Sequence, residues 1–404
     1  MSTLVLVGMR RAALESAARA GHRAALVAEA APGPRAAALA GRVDALSFGA
    51  PPEAWARLAR DLRPLAPDAV VACTERAVVP AAHLRRALGL PGLAPEAAHL
   101  CTHKGAMKRA IRAAGLPCAD FVEAGGGADT RREALVERLG LPLVLKPCVG
   151  SGGRGAYVAR TLQAAPASLP EGWMAEAFVR GTEMSAEGFG TGGRLHAMNP
   201  TRYLVVGQAS VVPGPLAAAE GEAVRALHAS ARRALGVKRG ITHMETFLAP
   251  GFPPPEASGD ARAEDGGAAP EAAPVFGEMA ARPPGGHLMR LMELAYGVDP
   301  WELAFRTERG ERVALPPPAR AAAVWILHPG AGTVTAASGA ADARSLPGVE
   351  EVALRVRPGD RVTPREGTGQ EVGHVIAVGA DAPEAEARLR AARAAIRLEV
   401  DADR

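Results

Sequence analysis

The stretch LPLVLKPCVGSGGRGAYVAR, Leu141–Arg160, decides how the chain is read. Leu141–Lys146 is an apolar run of strand length that ends on a lysine. Gly150-Ser151-Gly152-Gly153-Arg154-Gly155 follows, and Ala156–Arg160 alternates like a second strand. Glycines let backbone N–H groups turn toward an anion with no side chain in the way. A P-loop is excluded, because Gly155 is followed by Ala156-Tyr157 and not by Lys-Ser/Thr. The spacing G-x-G-x-x-G is present, but the dinucleotide fingerprint needs a helix after the loop to meet the pyrophosphate. A strand follows here. The stretch therefore predicts a β-hairpin with a glycine tip, either a flap over phosphates or a hairpin with no ligand.

Upstream, Thr3–Gly8, His22–Val27 and Asp68–Cys73 read as strands, with a helical stretch over Ala12–Ala20. This rhythm predicts a parallel sheet at the N-terminus, and Gly8 stands alone with no dinucleotide pattern. Residues 93–116 read as one helix ending at Gly115-Leu116-Pro117. Downstream, residues 222–235 read as a helix, Ile241–Leu248 and Val275–Ala280 as strands, and Pro383–Ala395 as a closing helix. Between those two strands, residues 250–274 are Pro/Gly/Ala-rich without periodicity, which predicts a disordered insertion at a hairpin tip.

Composition narrows the function classes. The 404 residues carry 47 basic and 43 acidic side chains, a net charge of +4 with no basic cluster, so a nucleic-acid groove or membrane patch is not indicated. No apolar run approaches the length of a membrane helix. The first residues place their apolar run before their charges, the reverse of a secretory leader, which predicts a cytoplasmic protein. Cys73, Cys101, Cys118 and Cys148 show no metal-ligand spacing. Only Lys104, Lys108, Lys146 and Lys238 are lysines in this arginine-rich chain. A lysine here points to a place that needs a compact ammonium, with chance retention as the alternative.

Several side chains fit a site around such a flap. Lys146 on the entering strand and Lys104 on a helix are candidates for phosphate oxygens, or else solvated charges. Glu176 opens a strand ending in Phe178-Val179, whose backbone offers N–H and C=O groups to a purine edge, and Glu183 is placed to hold ribose hydroxyls. His243 and Glu245 alternate on one strand, and Glu278, Ala280 and Arg282 do so on the next. Two glutamates on neighbouring strands can bridge Mg²⁺, which takes a few hard carboxylates plus phosphate oxygens. Arg282 suits a bidentate contact to phosphoryl or carboxylate oxygen, and Pro283-Pro284-Gly285-Gly286 forms a tight turn.

In this order the motifs resemble the ATP-grasp superfamily, and among its branches the L-amino-acid ligase type of carboxylate–amine ligase. HKGAMKRAIRAAGLPCADF resembles the entry helix whose first lysine contacts phosphate, which falls on Lys104. LPLVLKPCVGSGGRGAYV resembles the second lysine and flap, giving Lys146 with Gly150, Ser151, Gly152, Gly153 and Gly155. AEAFVRGTEMSAEGF resembles the adenine hinge and ribose acid, giving Glu176, Phe178, Val179 and Glu183. THMETFL and FGEMAARPPGG resemble the metal-bearing strands, giving Glu245 and Glu278, with Arg282 as the substrate-phosphate arginine. One departure stands out: many relatives carry Asn where this chain has Ala280.

The resemblance implies an α/β ATP-grasp fold. It divides into a Rossmann-like N-terminal domain over 1–100, an ATP-grasp domain over 101–310 with a flap at about 117–178, and a C-terminal α/β lid over 311–404. It implies ATP with Mg²⁺ or Mn²⁺, small-molecule carboxylate and amine substrates, an acyl-phosphate intermediate, and a homodimer as a family habit. Catalysis would fall to Arg282 and Lys146. Glu75, His243, Gly285, Gly286 and His287 are the candidate substrate contacts. The alternatives are a biotin-carboxylase-like or purine-pathway ligase, a catalytically silent nucleotide-binding module, and a nicotinamide oxidoreductase.

Overall fold

Four apolar runs at the start of the chain, Thr3–Val7, Arg23–Ala28, Arg42–Ala45 and Ala69–Ala72, form a parallel sheet in the spatial order third, second, first, fourth. Both faces of its central strands are buried, which is why they read as continuous Val/Leu/Ala runs. Helices Arg11–Arg19, Pro52–Leu62 and Val78–Leu88 cover it. Chain direction across this sheet reverses between Thr3–Val7 and Ala69–Ala72. The loops leaving those two strands, at Gly8–Arg10 and Cys73–Glu75, therefore open onto a crevice of the kind where ligands gather in open α/β sheets. The computed structural model describes residues 1–250, 272–365 and 370–402.

The continuous helix expected over 93–116 is two helices, Pro95–Leu100 and Lys104–Ala113. His103 restarts the second one by accepting from the Ala106 N–H at 3.3 Å, and Lys104 N–H is diverted to Cys148 O at 2.8 Å. The break ties the start of the lysine helix to the end of the flap strand. Helical spacing alone does not reveal such a tertiary bond.

The hairpin read from Leu141–Arg160 is present, as Leu143–Pro147 paired antiparallel with Tyr157–Ala159. With Phe121–Glu123, Trp173–Ala177 and helix Arg132–Leu139 it makes a small separate sheet with its own apolar cluster around Leu135, Leu143 and Leu145. The tip needs its glycines: Gly152, Gly153 and Gly155 have φ of 70°, 72° and 75°, a region that side chains with a Cβ rarely enter.

An eight-stranded antiparallel sheet carries most of the rest, beside a three-stranded sheet of Arg361–Val362, Gly332–Ser338 and Arg397–Asp401. The order of the eight strands is Ala272–Ala280, Gly240–Pro250, Thr182–Thr191, Arg194–Val205, Ala209–Val212, Ala321–Leu327, Gly373–Gly379 and Val349–Leu354. The larger sheet runs unbroken across position 311, so the C-terminal residues extend the same layer. Helices Ala218–Ala234, Leu288–Tyr296 and Ala382–Ala394 pack against it. Most of the insertion expected over 250–274, residues 251–271, lies outside the described residues. Pro250 and Ala272–Pro274 belong to the flanking strands.

Candidate active site

Strands Gly240–Pro250 and Ala272–Ala280 set Glu245 directly opposite Glu278 and His243 opposite Ala280. The next pair is Thr246 with Phe276, so Gly277 is an extra residue that forms a β-bulge. Bulges re-aim side chains beside functional sites. This one lets two glutamates share a face. A Cβ on Gly277 would lie 2.9 Å from the Glu245 carbonyl oxygen, so glycine permits the close approach.

Three of the four lysines converge on this pair. Lys146 Nζ lies 2.8 Å from Glu278 Oε1 and 3.0 Å from Glu176 Oε1. Lys108 Nζ, fully buried, lies 3.1 Å from the same Glu176 oxygen. Lys104 Nζ lies 3.8 Å from Glu278 Oε2 and donates to Gly150 O, in the flap, at 2.6 Å. Burial would push the Glu278 pKa up, but Lys146 and then Lys104 bring it down to about 2. Burial would lower the Lys146 pKa, but Glu278 and Glu176 together hold it above the ordinary lysine value.

Lys104, Glu245 and Glu278 line a cavity of about 380 Å³, and Lys108, Lys146 and Glu176 do not. Its wall includes Glu75, Lys104, Gly150, Ser151, Gly152, Gly153, Glu183, His243, Glu245, Glu278, Arg282, Gly285 and Gly286. Segments far apart in sequence are thus brought together around one space. Arg282 Nε donates to Glu75 Oε2 at 2.8 Å, which joins the acidic-strand loop to the crevice of the N-terminal sheet. Gly285 and Gly286 line the cavity just before helix Leu288–Tyr296, whose first N–H, at Leu288, donates to Gly285 O at 3.1 Å. Glu183 is raised to about pKa 7, first by burial and then by Glu245 and Glu278.

His243 has a different surrounding. Burial would lower its pKa, but hydrogen bonds to Glu187 (2.9 Å to Oε1) and toward Glu245 raise it to about 9. At neutral pH it is an imidazolium that donates hydrogen bonds, not the base that would deprotonate an amine. Glu187 is wholly buried and also accepts from Ser185 Oγ (2.8 Å), Asn199 Nδ2 (2.6 Å) and Thr201 Oγ1 (2.7 Å).

Other expected site residues lie elsewhere. Lys146 and Glu176 sit behind the cavity wall as a buried ion pair. Gly155 lies against Pro147 and Trp173 and does not line the cavity. Phe178 and Val179 occupy the link between strands Trp173–Ala177 and Thr182–Thr191, and their backbone groups make no main-chain hydrogen bond among the described residues. His287 does not line this cavity. It faces a second one of about 470 Å³, 3.4 Å from Glu371 and stacked on His374 at 4.1 Å between centroids.

Sequence reading missed Arg10, Lys108, Glu187 and Tyr203. Arg10 and Tyr203 line the cavity. Lys108 carried the same scarcity signal as its two neighbours. Arg10 carried none, since arginine is the ordinary cation of this chain.

The donor set fits a divalent cation. Glu245 and Glu278, opposite one another on neighbouring strands, bring two hard carboxylates to one wall. Ala280 adds no ligand.

A glycine-tipped flap over paired acidic strands is the ATP-grasp arrangement, and solved structures match it along the whole chain. The L-amino acid ligase from Bacillus licheniformis superimposes with a TM-score of 0.76 over 99% of both chains at 20% identity. The phosphoribosylglycinamide synthetase from Anaerococcus prevotii gives 0.71 over 99% of this chain and 100% of that one, at 16% identity. Among curated proteins, the uncharacterized protein y4rH of Sinorhizobium fredii is 27% identical over 293 residues, 68% of this chain and 56% of the relative. The D-alanine–D-alanine ligase of Ralstonia pickettii is 32% identical over 155 residues, 33% of this chain and 46% of the relative. The chain spans about half the length of the curated relatives it matches. The chain has the ATP-grasp fold. Within it, residues 324–401 match the family model described as L-amino acid ligase C-terminal domain 2.

Proposed function

We propose that the protein is an ATP-dependent carboxylate–amine ligase that forms an amide through an acyl phosphate, with an amino acid among its substrates. The observation that carries this reading is the bulge-aligned pair Glu245 and Glu278, facing Lys104 and the glycine flap across one cavity. The match of residues 324–401 supports an amino-acid substrate. Small-molecule substrates, no nucleic-acid or membrane partner, a cytoplasmic location and a homodimer complete the proposal. Among the described residues no helix is long and apolar enough to cross a membrane.

The residues divide the work. Lys104 holds phosphate oxygens from the cavity wall, Lys146 behind it steadies Glu278 and adds positive charge, and the N–H groups of Gly150–Gly153 cover the phosphates and keep water out. The backbone at Phe178–Val179 meets the adenine edge and Glu183 the ribose. Glu245 and Glu278 hold Mg²⁺ or Mn²⁺, which when bound neutralises phosphate charge and lines up the transfer. The acid's carboxylate attacks the γ-phosphorus, ADP leaves, and an acyl phosphate remains. The amine then attacks the acyl carbon, the C–N bond forms, and inorganic phosphate departs with the C–O bond's electron pair and takes up the proton the amine nitrogen loses. Arg282 and the N–H groups of Gly285 and Gly286 stabilise the oxygen that becomes negative in that step. His243, as an imidazolium, adds positive charge beside Glu245.

ADP release with Mg²⁺-ATP, against amino acids singly and in pairs, tests the reading. Stimulation by a specific pair together with a new amide in the products supports it. Tight ATP binding with no stimulation by any acid would favour the silent module, the reading that Ala280 suggests.

The bulge gives a separate test. Gly277→Ala should force the two strands apart at Glu245 O and pull Glu278 out of line, while the rest of the sheet holds. The expected result is a Mg²⁺ concentration for half-maximal ADP release about tenfold higher, as for lost support of a metal ligand, with ATP affinity little changed. An unaltered Mg²⁺ titration would make the bulge a packing feature only.

A further inference from the structure

Four cationic side chains line the cavity: Arg10, Lys104, His243 and Arg282. Three are matched to carboxylates, Lys104 to Glu278, His243 to Glu187 and Arg282 to Glu75. Arg10 makes no ion pair among the described residues. Its Nε donates to Cys73 O at 3.3 Å and its Nη2 to Pro284 O at 3.5 Å, both long for such bonds. These carbonyls fix where the guanidinium sits; Glu371 acts on its charge from the second cavity but is bound to His287 and Arg355 and forms no ion pair with it.

Its position is defined by topology. Arg10 leaves the first strand of the parallel sheet at the point where strand order reverses, and Glu75 leaves the fourth strand across the crevice. Arg282 reaches the same place from the acidic strands. Two guanidiniums thus approach one another on one wall, and only one has a carboxylate. Burial, and then Arg282, hold the Arg10 pKa below the ordinary arginine value, and Glu371, which forms no ion pair with it, only partly opposes them. Arg10 also lines the second cavity, which shares Gly286 with the first. The other arginines there are already paired: Arg11 with Glu15, Arg19 with Asp299, and Arg290 with Glu293 and Glu351.

We propose that Arg10 is an anion subsite, and that one substrate carries a carboxylate beyond those the ligation itself requires, as in an amino acid with an acidic side chain. The proposal rests on the ligase reading for the chemistry, though not for the binding. A neutral amino-acid pair brings one carboxylate to be activated and one carried by the amine partner. The first belongs beside the acidic strands, and the second falls to Arg282 Nη2, the edge left once Nε is held by Glu75 and Nη1 by Pro283 O. Arg10 answers a third. A partly buried guanidinium holds a carboxylate bidentately and rejects the neutral amide of the same shape, because its own charge is then left unpaired.

The test compares L-aspartate with L-asparagine, and L-glutamate with L-glutamine, in the wild type, Arg10→Gln and Arg10→Lys. The wild type is expected to prefer an acidic member by about 100-fold in kcat/KM. Arg10→Gln should raise KM for that substrate about 30-fold, the worth of a charged hydrogen-bonded contact, with kcat within about threefold. The loss with the amide should be at least about tenfold smaller, and Arg10→Lys should recover part of the affinity. A wild type that prefers neutral substrates would overturn the proposal and leave the ligase reading standing. Equal losses with acid and amide would do the same, by making Arg10 a structural tie. If no pair releases ADP, the ligase reading fails by itself, and calorimetric titration with the same four amino acids then decides. Acid-selective binding that Arg10→Gln abolishes upholds the subsite, and equal or absent binding removes it. Should Arg10→Gln not fold, the wild-type preference and the Arg10→Lys variant carry the decision.

Discussion

Glu278→Gln is expected to cut ATP-dependent ADP release by about a thousandfold, the scale of losing a group that neutralises charge in the transition state. The substitution keeps the shape of the side chain and removes one negative charge. That charge is present at every working pH, because Lys146 and Lys104 overcome the effect of burial and hold the carboxyl at a pKa of about 2. A glutamine oxygen is a far poorer donor to a hard divalent cation. The fold should survive, since Lys146 keeps Glu176 at 3.0 Å and Lys108 braces the same glutamate at 3.1 Å. ATP binding measured in EDTA should fall little or even tighten, because two lysines lose a competing carboxylate. The measurements are a coupled ADP assay, a nucleotide titration with and without Mg²⁺, and a thermal melt. Turnover within tenfold of wild type would remove Glu278 from the metal site. Loss of activity together with loss of fold would not, and Gly277→Ala, which moves the same carboxylate, then carries the test.

The part of the site readable from sequence is the part written as local pattern. The hairpin of Leu141–Arg160 was legible because glycine spacing and strand alternation sit within twenty consecutive positions. The shared face of His243 and Glu245 followed from the period of a strand. Lysine scarcity pointed at Lys104 and Lys146, and the structure places both beside Glu278. What stayed hidden depends on which distant segments meet. Glu176 reads as a hinge residue, yet its carboxylate turns to two lysines behind the cavity wall. His287 follows Gly285-Gly286 in sequence, yet at φ 63° its chain turns away and the ring stacks on His374. Arg10 is one arginine among many until the reversal of strand order puts it in the crevice. The break between Leu100 and Lys104 arises from one backbone bond to Cys148, forty-odd positions away. Elements and their order were legible. Side-chain direction was not, where tertiary partners set it.

Glu187→Leu is expected to cost about 3–5 kcal/mol of folding stability, the range for breaking one side of a buried ion pair. Glu187 is wholly buried and accepts from four donors, the side chains of Ser185, Asn199, Thr201 and His243. Leucine fills the space and takes the shared acceptor from all four, leaving Asn199 Nδ2 only Thr201 Oγ1 at 3.0 Å. Tyr296, which donates to Asn199 Oδ1 at 2.9 Å, extends the loss toward helix Leu288–Tyr296. The same pair gives the protein a definite pH profile. Burial would raise the Glu187 pKa, but His243, Thr201 and Ser185 lower it below its usual 4.5, so its share of stability is present above that value and lost as pH falls through the folded one. His243 is raised from 6.5 to about 9. Its share is therefore complete below pH 6.5 and lost as pH climbs through about 9. The pair stabilises most between those limits. Wild-type stability in EDTA should fall by up to about 3 kcal/mol across the alkaline rise, the linkage worth of that shift. His243→Gln, which has no proton to lose there, should start less stable and show a much flatter alkaline limb. Denaturant melts of the three proteins across this pH range make the comparison. Parallel alkaline limbs for wild type and His243→Gln would show that the imidazolium is not held by Glu187. A Glu187→Leu protein as stable as wild type would show that the buried network is replaceable by packing alone.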